Sequence, residues 1–266
     1  MMHDSAMVRL LVAADMPAAK DLLVDSGLAG GAANVARYLR WQPDGVWGVE
    51  EAGRLVGMAS VLRYGTVGFV GCMAVSRALQ GQGIGRRVLE HAQAESRRAG
   101  VTTFLLEATE HGAHLYEKLG YVHDYASALM GRAAGGACDA VSLVRDRDAI
   151  LALDRETVGC DRSAMINTLI DDAHGATIRS GDRLAGFGIV SDGRLGPVLA
   201  RDPDVGRALV DRLAPGSSYA AIPVEHLATF EANGFALVKP LSRMRLGAHV
   251  SIHVDRVLAL ASPGAG

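Results

Sequence analysis

The stretch from Val67 to Ala99 constrains this chain most. Val67 to Val75 reads as a strand, and Ile84 to Ala99 as a helix with Ile84, Val88 and Ala92 on one stripe, Arg97 and Arg98 in its last turn and Gly100 as its stop. Between them lies Gln80-Gly81-Gln82-Gly83-Ile84-Gly85. Glycines at 81, 83 and 85 let the backbone turn tightly and aim successive N–H groups outward at a helix N-terminus, which is a ready anion site. Arg86 and Arg87 oppose the helix dipole there unless an anion is bound, and no Ser, Thr, Asp or Asn caps the start. The loop is not the dinucleotide fingerprint, because the strand before it closes an antiparallel run, and it is not a P-loop, because no Gly-Lys-Ser/Thr follows. Taken alone, the same glycines also suit a turn that merely joins strand to helix.

The flanking pattern predicts an α/β layer with a partly parallel sheet. Val8 to Val12 is a short strand; Asp15 and Pro17 start a helix that stops near Ser26-Gly27, and a second helix covers Ala32 to Trp41. Val46 to Glu50, Arg54 to Tyr64 and Val67 to Val75 read as successive antiparallel strands. After the 84–99 helix come a central strand from Val101 to Ala108, a helix from His111 to Leu119 and a strand from Tyr121 to Leu129. The Gly- and Ala-rich stretch 131–136 is the natural linker, giving an N-terminal domain over 1–132 and a C-terminal one over 138–266. The second half echoes the first: Val8-Arg9-Leu10-Leu11 by Val141-Ser142-Leu143-Val144, Arg54-Leu55-Val56-Gly57 by Arg183-Leu184-Ala185-Gly186, and His114 to Tyr121 by Ala228 to Phe235.

With 27 basic and 29 acidic side chains, the 266 residues carry no nucleic-acid or membrane footprint and favour a small or locally presented partner. Cys72, Cys138 and Cys160 form no CxxC pair and read as reduced thiols of a cytoplasmic protein. The first residues, with His3, Asp4 and Arg9, lack a long apolar core, and no run approaches a spanning helix, so neither export nor insertion is expected.

The strand to Val75, the Gln80–Gly85 loop, its helix and Leu115-Tyr116-Glu117-Lys118-Leu119-Gly120-Tyr121 resemble the GCN5-related N-acetyltransferase (GNAT) superfamily, whose Gln/Arg-x-x-Gly-x-Gly/Ala signature the loop matches. Leu106-Glu107-Ala108-Thr109, with Asp161-Arg162-Ser163 and Ser242-Arg243-Met244-Arg245-Leu246-Gly247, further resembles the YitH-like bacterial proteins that carry two GNAT-type domains. The resemblance implies an α/β (α+β) class with tandem GNAT folds, each a mixed, partly splayed central sheet flanked by helices. It implies acetyl-CoA as co-substrate, its pyrophosphate on the amides of Gly81, Gln82, Gly83, Ile84, Gly85 and Arg86 behind Gln80, and its pantetheine arm along the edge at Met73, Ala74 and Val75. An acceptor amine would attack the thioester directly, with the oxyanion met by a strand N–H in the 73–75 stretch.

Tyr116 matches the position whose hydroxyl protonates the leaving thiolate; the alternative is a tyrosine packed beside Leu115 and Leu119. A lysine-like ammonium costs about 4 kcal/mol to deprotonate at neutral pH, so a base helps. The strand 69–75 has no glutamate, and Glu107 is the positional substitute, with a cationic-acceptor contact or a local salt bridge as the other readings. Cys72 reads as strand packing, His111 and His114 as surface or cofactor-adjacent residues and not metal ligands, and Trp41 and Trp47 as core. In the second half Arg201-Asp202-Pro203-Asp204 stands where the glycines would be and Phe230 where the tyrosine would be, so the C-terminal domain is expected to shape the acceptor site, through Asp161, Arg162 and neighbours, without binding coenzyme. The expected acceptor is a primary amine of a small molecule; a protein amine, or a non-catalytic acyl-CoA sensor, are the alternatives. No metal is expected.

Overall fold

The computed structural model describes residues 7–28, 31–133, 136 and 138–266. His3, Asp4 and residues 134 and 135 of the expected linker lie outside the described residues. The chain forms two compact units, one up to Leu106 and one from Glu107 onward.

The first unit has strands β1 (Met7–Leu10), β2 (Val46–Glu51), β3 (Arg54–Tyr64), β4 (Val67–Val75) and the opening of β5 (Thr103–Thr109), in the spatial order β1-β2-β3-β4-β5. Its helices are α1 (Met16–Asp25), α2 (Ala32–Trp41) and α3 (Ile84–Arg98). All follow the expected pattern within a residue or two. Ala52 and Gly53, both at positive φ (49° and 76°), make the tight β2–β3 turn that matches strand twist. β1 to β4 pair antiparallel, whereas β5 joins β4 in parallel because α3 carries the chain back across the sheet. Val88, with Val49, Val56, Ala59 and Ile84, closes the core beneath α3. Gly57 lets this happen: a Cβ there would sit 2.5 Å from the Ile84 side chain, so the helix start could not rest on β3.

The second unit opens with α4 (Glu110–Lys118) and β6 (Val122–Gly131). The later half adds α5 (Arg147–Val158), α6 (Ser163–Asp172), β7 (His174–Ser180), β8 (Arg183–Ser191), β9 (Arg194–Ala200) and α7 (Pro203–Leu213). β10 (Tyr219–Pro223), α8 (Leu227–Ala232), β11 (Ala236–Leu246) and β12 (Val257–Ala259) complete it. Its sheet runs β11-β6-β10-β9-β8-β7, with β12 on β9. β6 therefore has a strand of the later half on each side, and Ala128 and Met130 sit in one core with Leu209, Leu213, Ile222 and Phe230. A half-exposed strand read by itself looks like the end of the segment before it. The hydrogen bonds and buried side chains of β6 instead tie it to β10 and β11.

The internal repeat is present in the pairing. The β2–β3 ladder slips between Val49/Gly57 and Glu50/Leu55, and the β7–β8 ladder slips between Ile178/Gly186 and Arg179/Leu184. Gly186 repeats the role of Gly57, since a Cβ there would meet Val205 and Leu209 of α7 at 2.8 and 2.9 Å.

Candidate active site

The glycine loop has the geometry its sequence implies. Gly81 and Gly83 lie at φ 77° and 86°, a region other residues rarely adopt, and a Cβ on either would meet nothing within 4 Å. Gly83 is the N-cap of α3 and no side chain caps the helix. The first intrahelical bond runs from Arg87 N to Gly83 O at 2.9 Å, so the amides of Ile84, Gly85 and Arg86 precede the ladder. Gln80 and Gln82 fasten the loop to Val75 and Ala78 carbonyls at 3.2 and 3.3 Å. Arg86 pairs with Glu90 one turn along at 2.8 Å, at the surface.

The strand before the loop is open on one edge. The parallel β4–β5 ladder pairs Val67 with Thr103, Gly68 with Phe104 and Phe69 with Leu105, and ends there; beyond it Ala74 and Val75 pair with Met58 and Gly57 of β3, and Met73 is in register with neither neighbour. A bulge interrupts that side too, between Met58/Ala74 and Ser60/Gly71, with Cys72 at φ 47°. Burial pushes the Cys72 thiol up to about 12. Such a thiol is not a nucleophile at neutral pH.

Tyr116 lies in the second unit, where Thr109 caps α4 by accepting from Gly112 N at 3.2 Å and Gly120, at φ 87°, ends it. The ring is buried and meets Tyr121 edge-on at 5.6 Å. Burial raises the hydroxyl well above the usual phenol value, which keeps it protonated and able to donate. Glu107 makes a local salt bridge. Arg243 Nε donates to its Oε1 at 2.5 Å, Ser127 Oγ donates to its Oε2, and neither charged side chain has more than 2% exposure. With both oxygens engaged and none facing solvent, this carboxylate is not arranged to collect a proton from an amine. Sequence reasoning misses Arg243 and Ser127 as its partners because they lie 136 and 20 residues away, on strands whose pairing no local pattern announces.

Other expected residues have clear places. Arg162 is buried in a two-pronged pair with Asp154, Nη2 to Oδ1 at 2.6 Å and Nε to Oδ2 at 3.2 Å, so it is a core ion pair and not a contact for an acceptor. Asp161 caps its own turn by accepting from Ser163 N. Trp47 stacks edge-on against His91, and Trp41 lies tilted against Tyr38. His114 lies 3.5 Å from Glu117. Among the described residues no three of His, Cys, Asp and Glu gather as metal ligands, and no helix is long and apolar enough to cross a membrane.

The second half keeps the scaffold and fills the openings. Asp202 caps α7, its Oδ1 accepting from Asp204 N at 2.8 Å and Val205 N at 3.4 Å, so a carboxylate of the chain already occupies the amides that α3 leaves bare. β12 pairs with β9 through Val257/Leu199 and Ala259/Val198, on the side opposite β8, which is the edge that stays open on β4. Phe230 meets Phe235 edge-on at 5.3 Å in the same arrangement as Tyr116 and Tyr121, without a hydroxyl.

Two family models match, both described as an acetyltransferase (GNAT) domain, over residues 42–123 and 150–257. No curated protein matches the sequence. Among solved structures, a Pyrococcus horikoshii protein assigned as an acetyltransferase superimposes with a TM-score of 0.86 at 22% identity, over 100% of this chain and 98% of that one. A GCN5-related N-acetyltransferase from Sphaerobacter thermophilus gives 0.64 at 18% identity, over 93% and 97%, and one from Anabaena variabilis gives 0.60 at 12%, over 90% and 72%. These likenesses show the fold. The two family matches, spanning most of the chain with a bare-amide loop in the first, show that it belongs to the GNAT family of acetyl-CoA-dependent acyltransferases and carries two GNAT domains in tandem.

Proposed function

We propose that the chain is an N-acetyltransferase with a single coenzyme site, in its first GNAT domain, acting on a primary amine of a small molecule. The observation that carries this reading is the contrast between the two helix starts: α3 begins on Gly83 with no side-chain cap, whereas α7 begins on the Asp202 carboxylate. A pyrophosphate suits the first, because glycine at positive φ leaves room beside amides that need an acceptor, and is excluded from the second by a fixed negative charge. Gly81 to Arg86 would hold the pyrophosphate, and the open edge at Met73, Ala74 and Val75 would pair with an extended arm. When bound, the coenzyme supplies the acetyl thioester.

The chain's own residues then do modest work. The 73–75 stretch offers backbone N–H toward developing negative charge. Tyr116, kept neutral by burial, offers a proton to a leaving thiolate. Glu107 acts in this reading by fixing Arg243 and not as a base, so the acceptor loses its proton to solvent or a water relay. The C-terminal domain binds no coenzyme. The cytoplasmic assignment rests on three cysteines, all unpaired.

The test is acetyl-CoA titration together with thiol release across a panel of small amines and peptides. One equivalent bound per chain and turnover with a small amine support the reading. Two equivalents would overturn the single site, and turnover confined to peptides would move the acceptor to a protein.

A further inference from the structure

Ser242, which the acetyl-transfer reading leaves unused, stands in a chemically specific arrangement. Ser242 Oγ lies 2.7 Å from His123 Nδ1, and His123 Nε2 lies 3.0 Å from Glu117 Oε1. Three elements meet here, β11, β6 and the last turn of α4. The β6–β11 ladder slips between Arg243/Tyr125 and Met244/His123, so β6 carries one extra residue, Asp124, beside the contact. A bulge of this kind re-aims side chains that strict alternation would hold apart.

The proton inventory is fixed by the carboxylate. His123, and then His114, hold the Glu117 carboxyl below its usual range, so it is ionised at neutral pH and can only accept. In the tautomer that satisfies this acceptor, His123 carries its proton on Nε2. That leaves Nδ1 as an acceptor, and the Ser242 hydroxyl must be its donor. A hydroxyl given to a histidine base that a carboxylate orients is the arrangement of an activated serine. His123 and Glu117 are about half exposed and Ser242 is partly exposed, so a small ester can approach.

We propose that Ser242, His123 and Glu117 form a second nucleophilic site, which hydrolyses small activated acyl esters without coenzyme A. Ser242 Oγ bonds to the acyl carbon as its proton passes to His123 Nδ1, and Glu117 faces the resulting imidazolium. The carbon–oxygen bond to the alcohol breaks and the alcohol leaves with that proton. Water then attacks the acyl-serine, giving its proton to His123, and the acid departs as the proton returns to Oγ. No oxidant or reductant enters.

The test treats the full-length chain with a fluorophosphonate probe and maps the label by peptide mass spectrometry, alongside p-nitrophenyl acetate hydrolysis without coenzyme A. The expected label is on Ser242, and Ser242→Ala and His123→Asn each lower ester hydrolysis at least about 100-fold. Amine acetylation from acetyl-CoA stays unchanged in Ser242→Ala, which separates this site from the coenzyme site. A parent protein that takes no label on Ser242 overturns the proposal whatever the variants do. So does a folded Ser242→Ala variant that hydrolyses the ester as fast as the parent, and the three residues are then a polar latch between α4 and the sheet.

Discussion

The Glu107 carboxylate and the Arg243 guanidinium, 136 residues apart in sequence, meet at 2.5 Å with almost no exposure of either side chain. Removing one partner leaves the other charged and buried, which costs about 3 to 5 kcal/mol, whereas removing both costs much less. Arg243→Met should lower the urea midpoint sharply, and Glu107→Leu combined with Arg243→Met should recover part of it. Equal destabilisation in single and double variants would mean the pair carries no coupling.

Tyr116→Phe tests the proton donor with little change in packing, because Phe230 and Phe235 hold the same edge-on contact without a hydroxyl. The variant should lose about 100-fold or more in kcat while binding acetyl-CoA as the parent does. Because burial raises the Tyr116 hydroxyl above its ordinary value, this group should cause no loss of activity below about pH 10. Steady-state rates against pH for parent and variant decide both points.

Asp202→Ala uncaps α7, since the carboxylate accepts from both Asp204 N and Val205 N. Stability should fall by about 1 kcal/mol, readable as a shift in the thermal midpoint. Coenzyme stoichiometry should remain at one, because β12 still covers the β9 edge.

Arg9 bridges Asp15 and Glu50 in the first unit, and its guanidinium holds the Asp15 carboxyl down at about 2. A depressed carboxyl stabilises the fold above its unfolded value of about 3.9, and that contribution is lost as pH falls toward 2. Asp15→Asn should therefore destabilise by no more than about 1 kcal/mol at pH 7 and lose its effect near pH 2. Melting curves of both proteins across that range give the answer.

Local rules fixed much of the molecule. Val67 to Ala99 determined a strand, a glycine turn and an uncapped helix, because glycine at positive φ and a missing cap act within a few residues. The repeat legible in Arg54–Gly57 and Arg183–Gly186 determined two copies of one scaffold, since the register slip and the glycine under the helix are properties of single segments. The Asp202-Pro203 pair announced a helix start capped by its own carboxylate for the same reason. Tertiary structure alone decided which strands flank β6, what neutralises Glu107 and that β12 covers the β9 edge. Each of those depends on a partner more than 50 residues away, or on an edge that only pairing defines. Strand propensity and alternation say which residues face a core, and the partner is chosen by hydrogen bonds and buried area summed over the whole sheet.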